Sequence, residues 1–217
     1  ESTAEMEPTA GSRVEPPVMT AEAPARRRAR PGELDDVTLR RAQAGDPTAF
    51  RALVERYQRP IWELCWRMTA PAGLGDRADD LTQETFVRVY RALPGFDQRG
   101  PARLSTWILT IAARLACNEL RRSRPDPAGA DAAAALIAPG GSPRRARERA
   151  EAGAAMAAAI GLLPAGARAV LVLRDVFELD YEEIAAALEL DLGTVKSRLS
   201  RARAAVRARL TAEGMTP

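Results

Sequence analysis

Residues 180–210 constrain the rest of the chain, because they read as two helices joined by a turn too short to let them separate. Asp180 stands where a carboxylate caps the free amides of a first turn, and Glu183, three residues on, completes the reciprocal spacing of a capping box. That helix ends near Leu188. Asp191 is a second N-cap, so only Glu189 and Leu190 remain to turn the chain. The spacing is that of a helix-turn-helix.

The second helix is legible by phase. With residues about 100° apart around the axis, Val195, Leu199, Ala202, Val206 and Leu210 gather on one side and must pack inward. The opposite side carries Gly193, Ser197, Ser200, Arg201 and Ala204, with Lys196, Arg198 and Arg203 on its shoulders. A face of small residues permits close approach to a major groove. Ser and Arg reach base edges, and flanking cations meet phosphates. Residues 191–210 hold six Lys or Arg against one Asp, net +5, while residues 165–189 hold two Arg against six Asp or Glu, net −4. The positive charge is therefore focused on one helix.

That focus matters because Arg abundance alone is compositional: the chain has 32 Lys and Arg against 29 Asp and Glu, and Lys196 is its one lysine. There is no histidine among the 217 residues, which excludes His-based triads and Cys/His zinc sites. Cys65 and Cys117 lie far apart without a CxxC spacing and read as small buried apolar residues. No catalytic constellation, metal site or cofactor motif appears, so neither enzyme nor cofactor is expected. No apolar run has the length of a membrane span and no signal-peptide pattern opens the sequence, from which a cytoplasmic protein is expected.

Residues 1–31 are rich in Pro, Ala, Glu and Thr and read as a disordered tail, including the basic run Arg26, Arg27, Arg28 and Arg30. A helical pattern begins at Glu33. Leu34, Val37, Leu39 and Ala42 open it, and Gly45, Asp46 and Pro47 supply a break, an N-cap and a first-turn proline. A long helix over 48–69 places Phe50, Leu53, Val54, Tyr57, Ile61, Leu64, Cys65 and Met68 in the core. A third, over 79–93, has Phe86, Val89, Tyr90 and Leu93 as its inward stripe, leaving Asp80, Gln83, Glu84 and Val87 outward. An acidic and amide face with one apolar residue suits a protein partner better than DNA. After the loop 96–103, a helix over 104–124 turns Leu104, Ile108, Ile111 and Leu115 inward, while Arg103, Thr106, Thr110, Arg114, Arg121 and Arg124 share another side. Its basic end is a second nucleic-acid contact, distant in sequence from the first. Residues 125–143 form a Pro-, Ala- and Gly-rich linker, and helices resume at 144, with Val170, Leu171, Leu173 and Val176 as core.

Asp80-Leu-Thr-Gln-Glu-Thr-Phe86, Ser105-Thr-Trp-Ile108, Ile111-Ala112, Arg121-Arg122, Leu163-Pro164 and the run from Gly193 to Arg203 together resemble the sigma-70 family of RNA polymerase sigma factors, in its extracytoplasmic-function (ECF) group. The resemblance covers about residues 33–210. It implies an all-α fold of two helical domains joined by a flexible linker: sigma region 2 over 32–124, and sigma region 4 with its helix-turn-helix over 144–212. It implies core RNA polymerase as partner, through the beta-prime clamp helices and the beta flap, with promoter DNA and an anti-sigma factor as further partners. By position, Asp80, Gln83, Glu84, Phe86 and Val87 fall in the core-binding segment. Gln98, Arg99, Arg103 and Ser105 fall in the loop that captures a flipped −10 base, and Thr106, Trp107, Arg114, Arg121 and Arg122 on the helix beside −10 DNA. Thr194, Lys196, Ser197, Arg198, Ser200, Arg201 and Arg203 fall on the −35 reader. Four positions depart from the family's habit: Arg114 and Asn118 replace the usual Asn and Asp, Pro101 replaces an acidic residue, and Glu189 holds the turn position where Gly is common.

Two other readings stand beside this one. A free-standing helix-turn-helix regulator with a helical sensor domain would need a dimer and paired half-sites. A helical adaptor that binds only proteins would leave the charge focus on residues 191–210 without a purpose.

Overall fold

The computed structural model describes residues 33–100, 102–123 and 143–214, and every regular element among them is helical. In chain order these are α1 (Asp36–Gln43), α2 (Pro47–Thr69), α3 (Arg77–Ala92), α4 (Leu104–Arg122), α5 (Pro143–Gly161), α6 (Ala165–Asp175), α7 (Tyr181–Leu188) and α8 (Leu192–Ala212). Short 3-10 turns follow α2, at Ala70–Ala72, and α3, at Leu93–Gly95. The tail, the Arg26–Arg30 run, Arg124 and nearly all of the expected linker lie outside the described residues.

Caps fix the starts of the helices. Asp35 accepts from the Thr38 amide at α1, and Asp46 accepts from the Thr48 and Ala49 amides at α2, where Pro47 fills a position whose amide would have no partner. Gly45 takes φ 87, a conformation that costs a residue without Cβ nothing. Helices α2, α3 and α4 pack together with α1 across their end, burying Leu53, Ile61, Leu64, Met68, Val89, Leu93 and Ile108. Cys65 and Cys117 are buried as free thiols, and burial pushes Cys65 up to about 12.

Three expectations need correction. The inward stripe of α3 is Ala78, Leu81, Thr85 and Val89, and Tyr90 is 54% exposed, meeting Phe50 edge-on with ring centroids 4.9 Å apart. Ala78 and Thr85 are too small or polar to register as apolar in sequence, yet Thr85 is buried at no cost because its hydroxyl donates to the Leu81 carbonyl at 2.6 Å. Val176, expected in the core, sits just past the end of α6 and is 41% exposed. Finally, α4 has no free long side: 12 of its residues are buried, among them Thr106 and Thr110.

The reason is that the second half of the molecule packs on the first. Helices α6, α7 and α8 build one unit, with α5 against α8, and this unit rests on α4 through α7 and α6 and on α2 through α6. One contiguous core runs through both halves.

Candidate nucleic-acid interface

The two-helix element follows its sequence closely. Asp180 and Glu183 form the reciprocal capping box at α7, with the Asp180 amide donating to Glu183 Oε2 at 2.8 Å. Glu189 turns the chain in the left-handed region at φ 55, ψ 49, a conformation that costs a non-glycine residue about 1–2 kcal/mol. Asp191 caps α8, accepting from the Thr194 amide at 2.7 Å and from the Thr194 hydroxyl, which together hold its carboxyl below the usual carboxylate range.

Along α8 the expected inward residues, Val195, Leu199, Ala202, Val206 and Leu210, are the buried ones. Lys196, Ser197, Ser200 and Arg201 are exposed, Thr194 and Arg198 are half-buried, and together they form one continuous surface. Arg201 folds back along the helix, its Nε donating to the Ser197 carbonyl at 3.2 Å and its Nη2 to Ser197 Oγ at 3.1 Å. Ser197 and Arg201 thus form a coupled polar pair facing outward. Arg198 lies over Gly166 of α6, where an added Cβ would come within 2.8 Å of its guanidinium. Arg203 corrects the expectation of a free shoulder cation, because it forks onto Asp175 of α6 at 2.5 and 3.2 Å. Only close docking of α6 on α8 brings those two residues, 28 apart in sequence, together.

The first half offers a more divided set. On α3, Asp80, Gln83, Glu84 and Val87 are exposed on one face, as expected, and Phe86 is half-buried. Arg77 pairs with Asp80 at 2.5 Å and Arg88 with Glu84 at 2.8 Å, so the acidic face is partly neutralised from its own helix. In the loop before α4, Arg99 is exposed while Gln98 and Arg103 are half-buried. Gln98 donates to Gln43 Oε1 at 2.5 Å, and Gln43 in turn donates to the carbonyls of Leu93 at 3.1 Å and Phe96 at 2.7 Å. Gln43 is therefore the anchor of this loop. Nothing local in the sequence marks it, since its partners lie 50 or more residues away. Ser105 hydrogen-bonds Glu33, which also accepts from Tyr57.

On α4 the expected surface is split. Arg121 and Arg122 are exposed at its end. Trp107 is buried against Phe96, ring centroids 5.0 Å apart, and so supports the loop from below. Thr106 is 1% exposed and donates to Glu183 Oε1 of α7 at 2.9 Å. Arg114 donates to the carbonyls of Ala187 at 2.7 Å and Ala186 at 3.3 Å, and pairs with Glu189 at 3.0 Å. Among the described residues no helix is long and apolar enough to cross a membrane, and no cluster of side chains has a metal-holding arrangement.

Comparison with known proteins fits this geometry. The models of sigma-70 region 2 and sigma-70 region 4 match residues 53–125 and 154–206. The chain is 38% identical over 183 residues to the RNA polymerase sigma-H factor of Pseudomonas aeruginosa, covering 80% of this chain and 92% of that one. It is 32% identical over 181 residues to the ECF RNA polymerase sigma factor SigW of Bacillus subtilis, covering 79% and 94%. Among solved structures, CnrH in complex with the cytosolic domain of CnrY superimposes with a TM-score of 0.58 at 27% identity, covering 81% of this chain and 96% of that one. Both regions occur here in order and over nearly the whole length of these relatives, and the chain therefore belongs to the sigma-70 family of RNA polymerase sigma factors, in its extracytoplasmic-function group.

Proposed function

We propose that this ECF sigma factor reads the −35 element with the outward face of α8, engages core polymerase through the exposed face of α3, and holds −10 DNA with the 96–103 loop and the basic end of α4. The division of labour follows the two halves, residues 32–124 and 144–212. It works by binding, without catalysing a reaction, and in the cytoplasm, where polymerase and promoter are.

The observation that carries the reading is the clean partition of α8. Val195, Leu199, Ala202, Val206 and Leu210 are buried on one side, while Lys196, Ser197, Ser200 and Arg201 stand together outside on a helix with net positive charge. Small residues let the helix axis approach the base edges, Ser197 and Arg201 address them, and Lys196 meets a phosphate. An anti-sigma factor is proposed as a further partner, since a solved structure of the same fold is that of the sigma factor RpoE in complex with the anti-sigma factor NepR from Bartonella quintana.

Run-off transcription with core polymerase, with and without the protein, tests the whole reading, and unchanged transcript from a promoter library would end it. The α3 surface has its own test. Asp80→Arg combined with Gln83→Ala should weaken capture of core polymerase by more than about 1 kcal/mol at unaltered helicity. Unchanged capture would move the polymerase contact elsewhere.

A further inference from the structure

We propose that Gln43 is a positioning residue for −10 recognition: it fixes the polarity of the Gln98 side-chain amide, so that Gln98 Oε1 is offered as an acceptor to the unstacked −10 base and a base with an exocyclic amino group is selected. The proposal rests on the promoter reading above.

Gln43 is the last residue of α1 and is half-buried where the chain leaves α3 for the loop. Its Nε2 lies between two backbone carbonyls, donating to Leu93 at 3.1 Å and to Phe96 at 2.7 Å. A side-chain amide has two N–H groups, and here both are taken. The atom between two carbonyl oxygens must be the nitrogen, since an oxygen there would meet only lone pairs. Gln43 Oε1 is therefore an acceptor, and the group that reaches it from Gln98, at 2.5 Å, must be Nε2. One amide thus sets the polarity of the next. Gln98 Oε1 is left over: it takes no hydrogen bond among the described residues and is open to solvent.

The backbone that carries Gln98 is held as firmly as its side chain. The Gly100 amide donates to the Asp97 carbonyl at 3.1 Å, closing a turn whose two central residues are Gln98 and Arg99. The Arg99 amide donates to Asp97 Oδ1 at 2.9 Å, and below the turn Phe96 is buried on Trp107. A glutamine free of such ties would lose rotamer freedom on meeting a base, and it could meet the base with either end of its amide. Gln98 is spared that loss and offers its oxygen.

That polarity selects among bases. Beside the ring nitrogen, adenine and cytosine carry an exocyclic amino group, whereas guanine and thymine carry a carbonyl oxygen. An acceptor held in place hydrogen-bonds the first pair and repels the second. Arg99, exposed on the same turn, is a donor and would favour the opposite pair, so the preferred base tells which of the two side chains reads it.

The test uses holoenzyme assembled from core polymerase and the full chain. The DNA is forked, with a −10 element selected by wild-type holoenzyme from a randomised one, and each unpaired position is then replaced by all four bases. The position read by Gln98 is the one where Gln98→Ala most flattens the preference. There, wild type should favour adenine or cytosine over guanine and thymine. Gln43→Met, similar in shape but without an N–H, should reduce that ratio by about two- to tenfold, the net value of one hydrogen bond. Adding Gln43→Met to Gln98→Ala should change the ratio no further, because the first residue acts through the second. Gln43→Lys should do the reverse. Its ammonium can donate to both carbonyls and to Gln98 Oε1, which turns the Gln98 amide over and moves the preference to guanine or thymine. Reading a ratio cancels any general gain from the added charge. A wild-type preference for guanine or thymine at that position, or no position at which Gln98→Ala matters, overturns the acceptor. Equal loss with every base in Gln43→Met, as a merely structural residue would give, overturns the positioning. If Gln43→Met loses helicity, Gln43→Lys alone decides, and an unreversed ratio there overturns the proposal. Failure of wild-type holoenzyme to open any promoter would instead sink the promoter reading, and this inference with it.

Discussion

Helices α4 and α8 look alike in sequence, each about 20 residues long, apolar along one stripe and basic toward its end, yet they occupy opposite situations in the fold. Of the 21 residues of α8, five are buried and they form one stripe, whereas α4 buries 12 of its 19 on every side but its last turn. The difference teaches that a helix's reading face can be found by phase only when its neighbours all lie on one side. Helix α8 closes its unit from outside. Helix α4 is the shared wall, with α2 and α3 against one side and α6 and α7 against the other.

The largest effect that would break this contrast is on stability. Ile108→Ala in α4 removes a fully buried side chain and should cost about 2–5 kcal/mol in urea unfolding, while Lys196→Ala on α8 should stay within about 0.5 kcal/mol. Similar values for the two would mean that α4 is not the wall described. The next effect concerns recognition. Arg201→Ala should relax preference at one −35 position by about 1–3 kcal/mol, and Lys196→Ala should weaken all sequences alike and lower the salt slope by about one. Titrations against single-base variants at several salt concentrations read both, and a specificity change from Lys196→Ala as large as that from Arg201→Ala would reverse the orientation of α8.

A third experiment sharpens the comparison from the side of α4. Arg103→Ala and Arg114→Ala should each reduce promoter melting in permanganate footprints more than they reduce duplex binding. The smallest expected effect belongs to Arg203, whose pair with Asp175 is solvent-accessible and screened. Arg203→Ala should lower stability by no more than about 1 kcal/mol and leave −35 preference unchanged. A new base preference would return Arg203 to the reading face.

Local rules explain which parts were legible. A cap needs an acceptor and amides two or three residues away, so Asp46, Asp180 and Asp191 announced their helices. The inward stripe of α8 depends only on the 3.6-residue repeat, and every residue assigned to it is buried. Family motifs pointed to sigma regions 2 and 4, and the models of both regions match the chain.

The sequence by itself determined the helical pattern, the caps at Asp46, Asp180 and Asp191, the two-residue turn at Glu189 and Leu190 and the exposed face of α8, because each rests on contacts within about four residues. Only the tertiary structure decided that Tyr90 turns outward, that Gln43 anchors a loop more than 50 residues away, that Arg203 is spent on Asp175, and that Thr106 and Arg114 are covered by α7. It also decided that Arg168, one of 31 arginines with nothing local to distinguish it, is buried across the boundary between the halves. Its partner, the Met68 carbonyl, lies 100 residues away, and a backbone acceptor carries no sequence signature. Which face of a helix is covered depends on what arrives from elsewhere in the chain, and helical periodicity holds no record of that.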